Sequence, residues 1–137
     1  LIQVCVKSTD WKQRSAGYML MGLISEACKE SMKKNMDEAI KLACSGIMDE
    51  NVRVRHSGLS CLALLLTELE PRAQIRFHSE LMPVLLGMMT NEPLIKMQTH
   101  VVSTLINFAR GLLNDDEEEE ESNKGAKIMN LYSTTLF

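Results

Sequence analysis

Proline and aromatic residues are scarce in this chain of 137 residues, with three prolines and an aromatic share of 4%. Only seven glycines are present. That is too few turn formers for an all-β fold, which needs a turn signal every ten residues or so. The four cysteines, Cys5, Cys28, Cys44 and Cys61, include no C-x-x-C pair, so a clustered thiolate zinc site is excluded. Each sits in an apolar helical stretch, as reduced core thiols of a cytosolic or nuclear protein do. No apolar run approaches the roughly 18 residues that span a membrane, and no basic stripe marks a nucleic-acid binder. A nucleophile elbow, a Gly-rich phosphate loop and an H-E-x-x-H pair are all missing. The sequence therefore predicts no enzyme, no catalytic residue, no cofactor and no metal. A signal peptide and an initiator Met are also lacking, and the sequence reads as a portion of a longer array.

What is present is aliphatic. Apolar residues make up 45% of the chain, and Leu, Met and Ala carry most of that share. Unbranched side chains lose little rotamer freedom in a helix. Ten methionines fit core gaps between helices, and also surfaces that adapt to a partner. The net charge of −3 hides an asymmetry. Asp115, Asp116, Glu117, Glu118, Glu119, Glu120 and Glu121 form an unbroken acidic run, and the rest of the chain is mildly basic.

The organising feature is a repeat. Asp10-Trp11-Lys12-Gln13-Arg14 opens one apolar helical stretch, and Asn51-Val52-Arg53-Val54-Arg55 opens a second 41 residues later. Pro93-Leu94-Ile95-Lys96-Met97-Gln98 opens a third, with Gln98 standing 43 residues after Arg55. A period in the low forties with two helices per period predicts an all-α chain. The fold expected is an α-solenoid of HEAT or armadillo type, antiparallel helix pairs stacked into a right-handed superhelix.

Along the chain, residues 1–30 read as a half repeat plus a second helix. That helix is capped by Asp10 and runs to about Glu30, with Trp11, Leu20, Met21, Leu23, Ile24 and Ala27 at helical spacing. Residues 31–70 and 71–113 read as two repeats, each a shorter first helix, a tight turn and a longer second helix. Met36, Ile40, Ala43, Cys44 and Ile47 form one apolar face of the first of these. Pro83 is expected to bend or split its helix near Met82, and Pro93 fits a first helical position. Residues 114–126 read as an acidic loop, and 127–137 as the start of another helix. Gly17 and Gly58 fall in equivalent slots and predict close helix–helix approach there, because Gly inside a helix is otherwise unfavourable. Val101 takes that slot in the third long helix.

Four motifs carry a resemblance. They are Asp10-Trp11-Lys12-x-Arg14, Asn51-Val52-Arg53-Val54-Arg55, Phe77-His78-Ser79-Glu80-Leu81-Met82-Pro83, and Met97-Gln98-x-His100 running into Asn107-Phe108. In this order and spacing they resemble the importin-β (karyopherin-β) superfamily, in particular the central HEAT repeats of the importin-five type. The resemblance covers about Asp10 to Phe108. It implies a superhelix with second helices lining a concave face, basic protein cargo held inside the curve, and nuclear import through the pore. It further implies that Ran-GTP displaces cargo, that Phe-Gly nucleoporins bind between outer helices, and that the protein shuttles between cytoplasm and nucleus. The chain departs from the family at Val101-Val102-Ser103-Thr104, where an alanine-rich helix is usual, and at the acidic run. A structural HEAT scaffold of a phosphatase or chromosome-organising complex is the alternative.

The candidate partner-binding residues are Trp11, Glu26, Glu68, Asn107 and the acidic run Asp115–Glu121. Trp11 is either a half-buried anchor between repeats, which its size favours, or part of a binding surface. Arg14 and Arg55 either bridge repeats through carboxylates and helix-end carbonyls or grip acidic partners. Asn107 offers one donor and one acceptor to a peptide main chain or to a neighbouring repeat. The acidic run is a solvated linker, an attractor of basic cargo, or an internal mimic of a ligand. His56, His78 and His100 lack companions at ligand spacing and read as core or surface side chains. The apolar terminal segments predict self-association.

Overall fold

The computed structural model describes residues 1–113 and 119–136, all in helices or short connections, with no strand among them. Its helices are α1 (Ile2–Val6), α2 (Trp11–Ser25), α3 (Lys29–Lys34), α4 (Met36–Ile47), α5 (Val52–Glu68), α6 (Arg72–Asn91), α7 (Ile95–Leu112) and α8 (Glu119–Leu136). They form two compact units, Leu1–Leu69 and Glu70–Phe137.

The first unit is built on α2, α4 and α5. Asp10 and Asn51 cap the two long helices in the same way: each side-chain oxygen accepts from the backbone N–H two residues on. This satisfies an otherwise orphaned donor of the first turn. The helices α2 and α5 run side by side in one direction. Ser15 Oγ meets Ser57 Oγ at 2.7 Å near their starts, and Gly22 lies on Cys61 and Leu64 further along. Tight approach continues at α4, where a Cβ on Gly58 would stand 2.6 Å from the backbone carbon of Gly46. The Tyr18 ring also rests on Gly46, beside Gly58, its hydroxyl 2.8 Å from Ser45 Oγ. Gly17 approaches α1 equally closely, with Val6 Cγ1 2.8 Å from its would-be Cβ. Both glycine slots of the repeat are therefore contact points. The core here is Ile40, Ala43, Ile47, Val54, Leu62 and Leu65, all at most 1% exposed.

A ladder built by the repeat motif fixes each long helix to the turn before it. Arg14 donates from Nη1 to the carbonyls of Ser8 and Thr9, both at 3.0 Å. Arg55 does the same to Asp49 and Glu50, at 3.2 and 3.0 Å. Gln98 donates to the Glu92 carbonyl at 2.9 Å. The Gln rung reaches one carbonyl where each Arg rung reaches two. Arg14 also grips Asp49 through two bonds of 2.7 and 3.0 Å. Bidentate geometry of this kind is strong and directional. The ladder reading of these residues is the one the geometry supports.

Arg14 holds the Asp49 carboxyl below the usual carboxylate range. A depressed folded-state value means that the pair contributes stability above the unfolded carboxyl value near 3.9. That contribution is lost as pH falls through the depressed value. The melting temperature should drop steeply below about pH 4. Asp49→Asn should melt lower than the parent at neutral pH and lose less over the acid interval. Parallel acid curves for parent and variant would contradict this role.

In the second unit, α6 and α7 pack antiparallel. Gly111, near the end of α7, lies on Gln74, near the start of α6. The core is Phe77, Leu81, Leu85, Val101, Phe108 and Leu112. The helix α8 joins through Gly125 against the Leu112 carbonyl and through Tyr132, whose hydroxyl is 3.0 Å from His78 Nδ1. Tyr132 also donates to the His78 carbonyl at 3.3 Å, and the rings meet edge to face.

Several expectations need correction. The helix opened by Asp10 ends at Ser25, not near Glu30, and a separate short α3 follows. Ser25 is buried and turns its hydroxyl back on the Gly22 carbonyl at 2.6 Å, a bond that competes with the helical ladder. Pro83 does not split its helix, and α6 is the longest helix described, at 20 residues. The first helix of that pair is therefore longer than the 18-residue second. Pro93 stands before the cap Leu94 and not inside the helix. Residues 119–126, expected as part of an acidic loop, are helical, so α8 includes Glu119, Glu120 and Glu121. Cys28 is exposed, Cys5 and Cys44 are partly buried, and only Cys61 is a core thiol; none of the four forms a disulfide.

Candidate functional site

The helices α2 and α5 leave an apolar groove open between them, about 150 Å³ in volume. Met19, Leu23, His56, Ser57, Ser60, Cys61 and Leu64 line it. Met19 is 54% exposed, Leu23 71% and Leu64 42%. Helical spacing alone assigns Leu20 and Leu23 to the buried face of α2. In the structure Tyr18 and Met21 are the buried side chains, and Leu20 and Leu23 are exposed. Almost every position from Tyr18 to Ile24 is apolar, so the period cannot single out the inner face. The groove escapes sequence reasoning for that reason. Its floor is Cys61, whose thiol burial pushes up to about 12, leaving it neutral and inert.

The two ends of the groove differ in charge. At the helix starts, Trp11 is half-buried, with the Arg53 guanidinium 5.2 Å and the Lys12 ammonium 5.9 Å from its ring centre. Both are within cation–π range. The indole thus joins the openings of two successive long helices, as an anchor would. At the helix ends stand Glu26, the exposed C-cap of α2, and Glu68, the last residue of α5. Glu68 lies 3.7 Å from Lys29, a cation 47% exposed. A carboxylate at a helix C-terminus opposes the macrodipole, at a cost of about 0.3–1 kcal/mol. The chain makes this unfavourable placement twice, at the same end of two neighbouring helices.

The remaining candidates lie in the second unit. Asn107 is exposed on α7, and its side chain has no hydrogen-bond partner among the described residues. Asp115, Asp116, Glu117 and Glu118 fall outside the described residues. Glu119 and Glu121 lie in the backbone of α8. Glu120 is exposed and pairs with Lys124 at 2.6 Å, one helical turn on, which lowers its carboxyl value. The structure pairs Glu68 with Lys29 and puts Glu26 and Glu68 at the C-terminal ends of the two helices that border the groove, while Asn107 and Glu120 belong to the other unit. No described helix is long and apolar enough to cross a membrane.

No family model matches the chain. It is similar to importin subunit beta-3 of Saccharomyces cerevisiae (strain ATCC 204508 / S288c), with 26% identity over 108 residues, which is 79% of this chain and 10% of that protein. The chain thus spans about a tenth of that curated relative's length. Its fold is similar to a solved crystal structure of a Kap121p mutant, with a TM-score of 0.74 and 20% identity, covering 97% of this chain and 16% of that one. In that mutant three acidic residues are replaced by lysine. The two repeated caps, the recurring Arg14, Arg55 and Gln98 bonds to the preceding turn, the parallel packing of α2 on α5 and these similarities lead to one conclusion: the chain has the α-solenoid fold of a helical-repeat protein, and it is similar in sequence and fold to importin-β receptors.

Proposed function

We propose that this chain forms part of a nuclear transport receptor and holds a basic protein segment on the exposed side of α2 and α5. The observation that carries this reading is the pair of carboxylates at the wrong ends of two helices. Glu26 and Glu68 weaken the helices they terminate, and of the two only Glu68 has a cation within ion-pair distance among the described residues. A lysine or arginine from a partner offsets the dipole conflict and adds a charge-assisted bond. Lys29 is half exposed, so its place beside Glu68 is open to exchange. Surface pairs of this kind are individually weak, which suits a cargo that must be released.

The acidic run serves the same reading. Seven adjacent carboxylates repel one another and gain by neutralisation. They raise the local concentration of a basic partner and speed encounter. Release by Ran-GTP and passage by way of Phe-Gly nucleoporins belong to the whole receptor, and with them the shuttling between cytoplasm and nucleus. Nothing in this reading calls for catalysis.

Replacing Asp115–Glu118 with a Gly/Ser linker, which spares the described residues of α8, should leave the melting temperature near that of the parent. Stopped-flow association with a labelled basic peptide should be slower at low salt, and the difference should vanish as salt rises. Equal association rates at low ionic strength would reduce the run to a linker.

A further inference from the structure

We propose that Lys29 is an internal competitor for the Glu68 carboxylate, and that acylation of its side-chain amine is a switch that raises the affinity of this surface for a basic partner. The proposal rests on the reading of Glu26 and Glu68 given above and adds regulation to it.

The helix that carries Lys29 does little for the fold. α3 has six residues, buries none of them and has no side-chain cap. A helix so short is not sustained by its own propensity, and without buried side chains it opens at little cost. From α5 to α6 the chain passes with no such insert. What α3 brings is charge: Lys29, Lys33 and Lys34 are half of its residues. Lys29 is held beside both carboxylate-bearing helices. Its backbone N–H donates to the Glu26 carbonyl at 3.3 Å, and its ammonium lies 3.7 Å from Glu68 on α5. Lys33 instead pairs with Glu30 inside α3, at 3.1 Å. Lys29 thus stands where the lysine of a basic partner would pair.

The contact is strong enough to compete and weak enough to lose. At 3.7 Å it is longer than a charge-assisted hydrogen bond of about 2.7–2.9 Å. The lysine side chain is 47% exposed, so solvent and salt screen the pair. Pairs of this kind are worth a factor of about two to five in an equilibrium. A competitor on the same chain acts at an effective concentration that dilution does not change. It therefore lowers the apparent affinity for a basic partner by about that factor. Acylation removes it. The deprotonated Lys29 amine attacks the carbonyl carbon of an acyl thioester. The C–N bond forms, the C–S bond breaks, and the sulfur leaves as a thiol with the amine proton. The amide that results carries no charge, and Glu68 loses the cation beside it.

The test is a fluorescence-anisotropy titration of the whole chain with a labelled lysine-rich peptide at low salt. The forms compared are the parent, the chain acetylated at Lys29, Lys29→Gln, Lys29→Arg and Lys33→Gln. Acetylation and Lys29→Gln should each tighten binding about two- to fivefold. Lys29→Arg keeps the charge and should bind like the parent. Lys33→Gln makes the same change in net charge away from Glu68, and should gain less than half as much. In a Glu68→Gln background the gain from Lys29→Gln should disappear, because the carboxylate competed for is gone. Equal gains from Lys29→Gln and Lys33→Gln would reveal a general charge effect and overturn the proposal. A gain from Lys29→Arg equal to that from Lys29→Gln would overturn it too. Absence of saturable binding by every form would overturn the proposal together with the reading beneath it. Binding by the parent that neither acetylation nor Lys29→Gln alters would overturn the proposal alone.

Discussion

Gly58→Ala should destabilise the chain sharply, and Gly87→Ala should stabilise it, although both put the same methyl group in a helix interior. Alanine gains close to 1 kcal/mol over glycine by helix propensity alone. At Gly87 nothing lies within 4 Å of the new Cβ, so the expected effect is a gain of about 0.5–1 kcal/mol. At Gly58 the new Cβ meets Gly46 backbone at 2.6 Å and the Ile47 nitrogen at 2.7 Å. Backbone cannot swing aside as a side chain tip does. The α4/α5 contact must open, and Tyr18, whose ring rests on Gly46, moves with it. Overpacking of this kind costs about 1–3 kcal/mol, and the upper end is expected because both obstacles are main chain. Paired chemical denaturation of the two variants reads the difference. Shifts of the same sign would mean that the glycine slots are not contact points.

The second large effect is electrostatic. The double variant Glu26→Lys and Glu68→Lys should lose binding of a basic peptide by more than tenfold at low salt. It should melt at or slightly above the parent temperature. The gain follows because lysine at a helix C-terminus agrees with the dipole where glutamate opposes it. The loss at Glu68 includes its pairing with Lys29, which a like charge there repels. A fall in both stability and binding would mean that the carboxylates serve the fold. Unchanged binding would remove them from the partner surface.

Much of the fold is legible in the sequence because the repeat motif states its own function. Asp10 and Asn51 cap, and Arg14, Arg55 and Gln98 bond the turn behind them. These are local interactions, and local interactions leave marks in sequence. The glycine slots are legible for the opposite reason, since a residue that weakens a helix needs a tertiary justification. The end of α2 is not legible. No Gly or Pro stands near the C-terminal side of Ser25, and the break comes with a buried hydroxyl turned on its own helix. The helical state of Glu119–Glu121 is hidden because an acidic block reads as solvated linker. The groove is hidden by abundance, since Tyr18 to Ile24 offers an apolar side chain to nearly every direction. Glu26 and Glu68 can be named from their position near helix ends, whereas the Lys29 pairing depends on α3, a helix that sequence pattern does not separate from α2.

The central claim is that this HEAT segment recognises positive charge on a protein partner. The direct measurement is a fluorescence-anisotropy titration of the chain with two peptides of equal length and apolar content, one lysine-rich and one glutamate-rich, at low and at physiological salt. The account predicts saturable binding of the lysine-rich peptide alone, weakening steadily as salt rises. Equal binding of the two peptides, or lysine-peptide binding indifferent to salt, would contradict it.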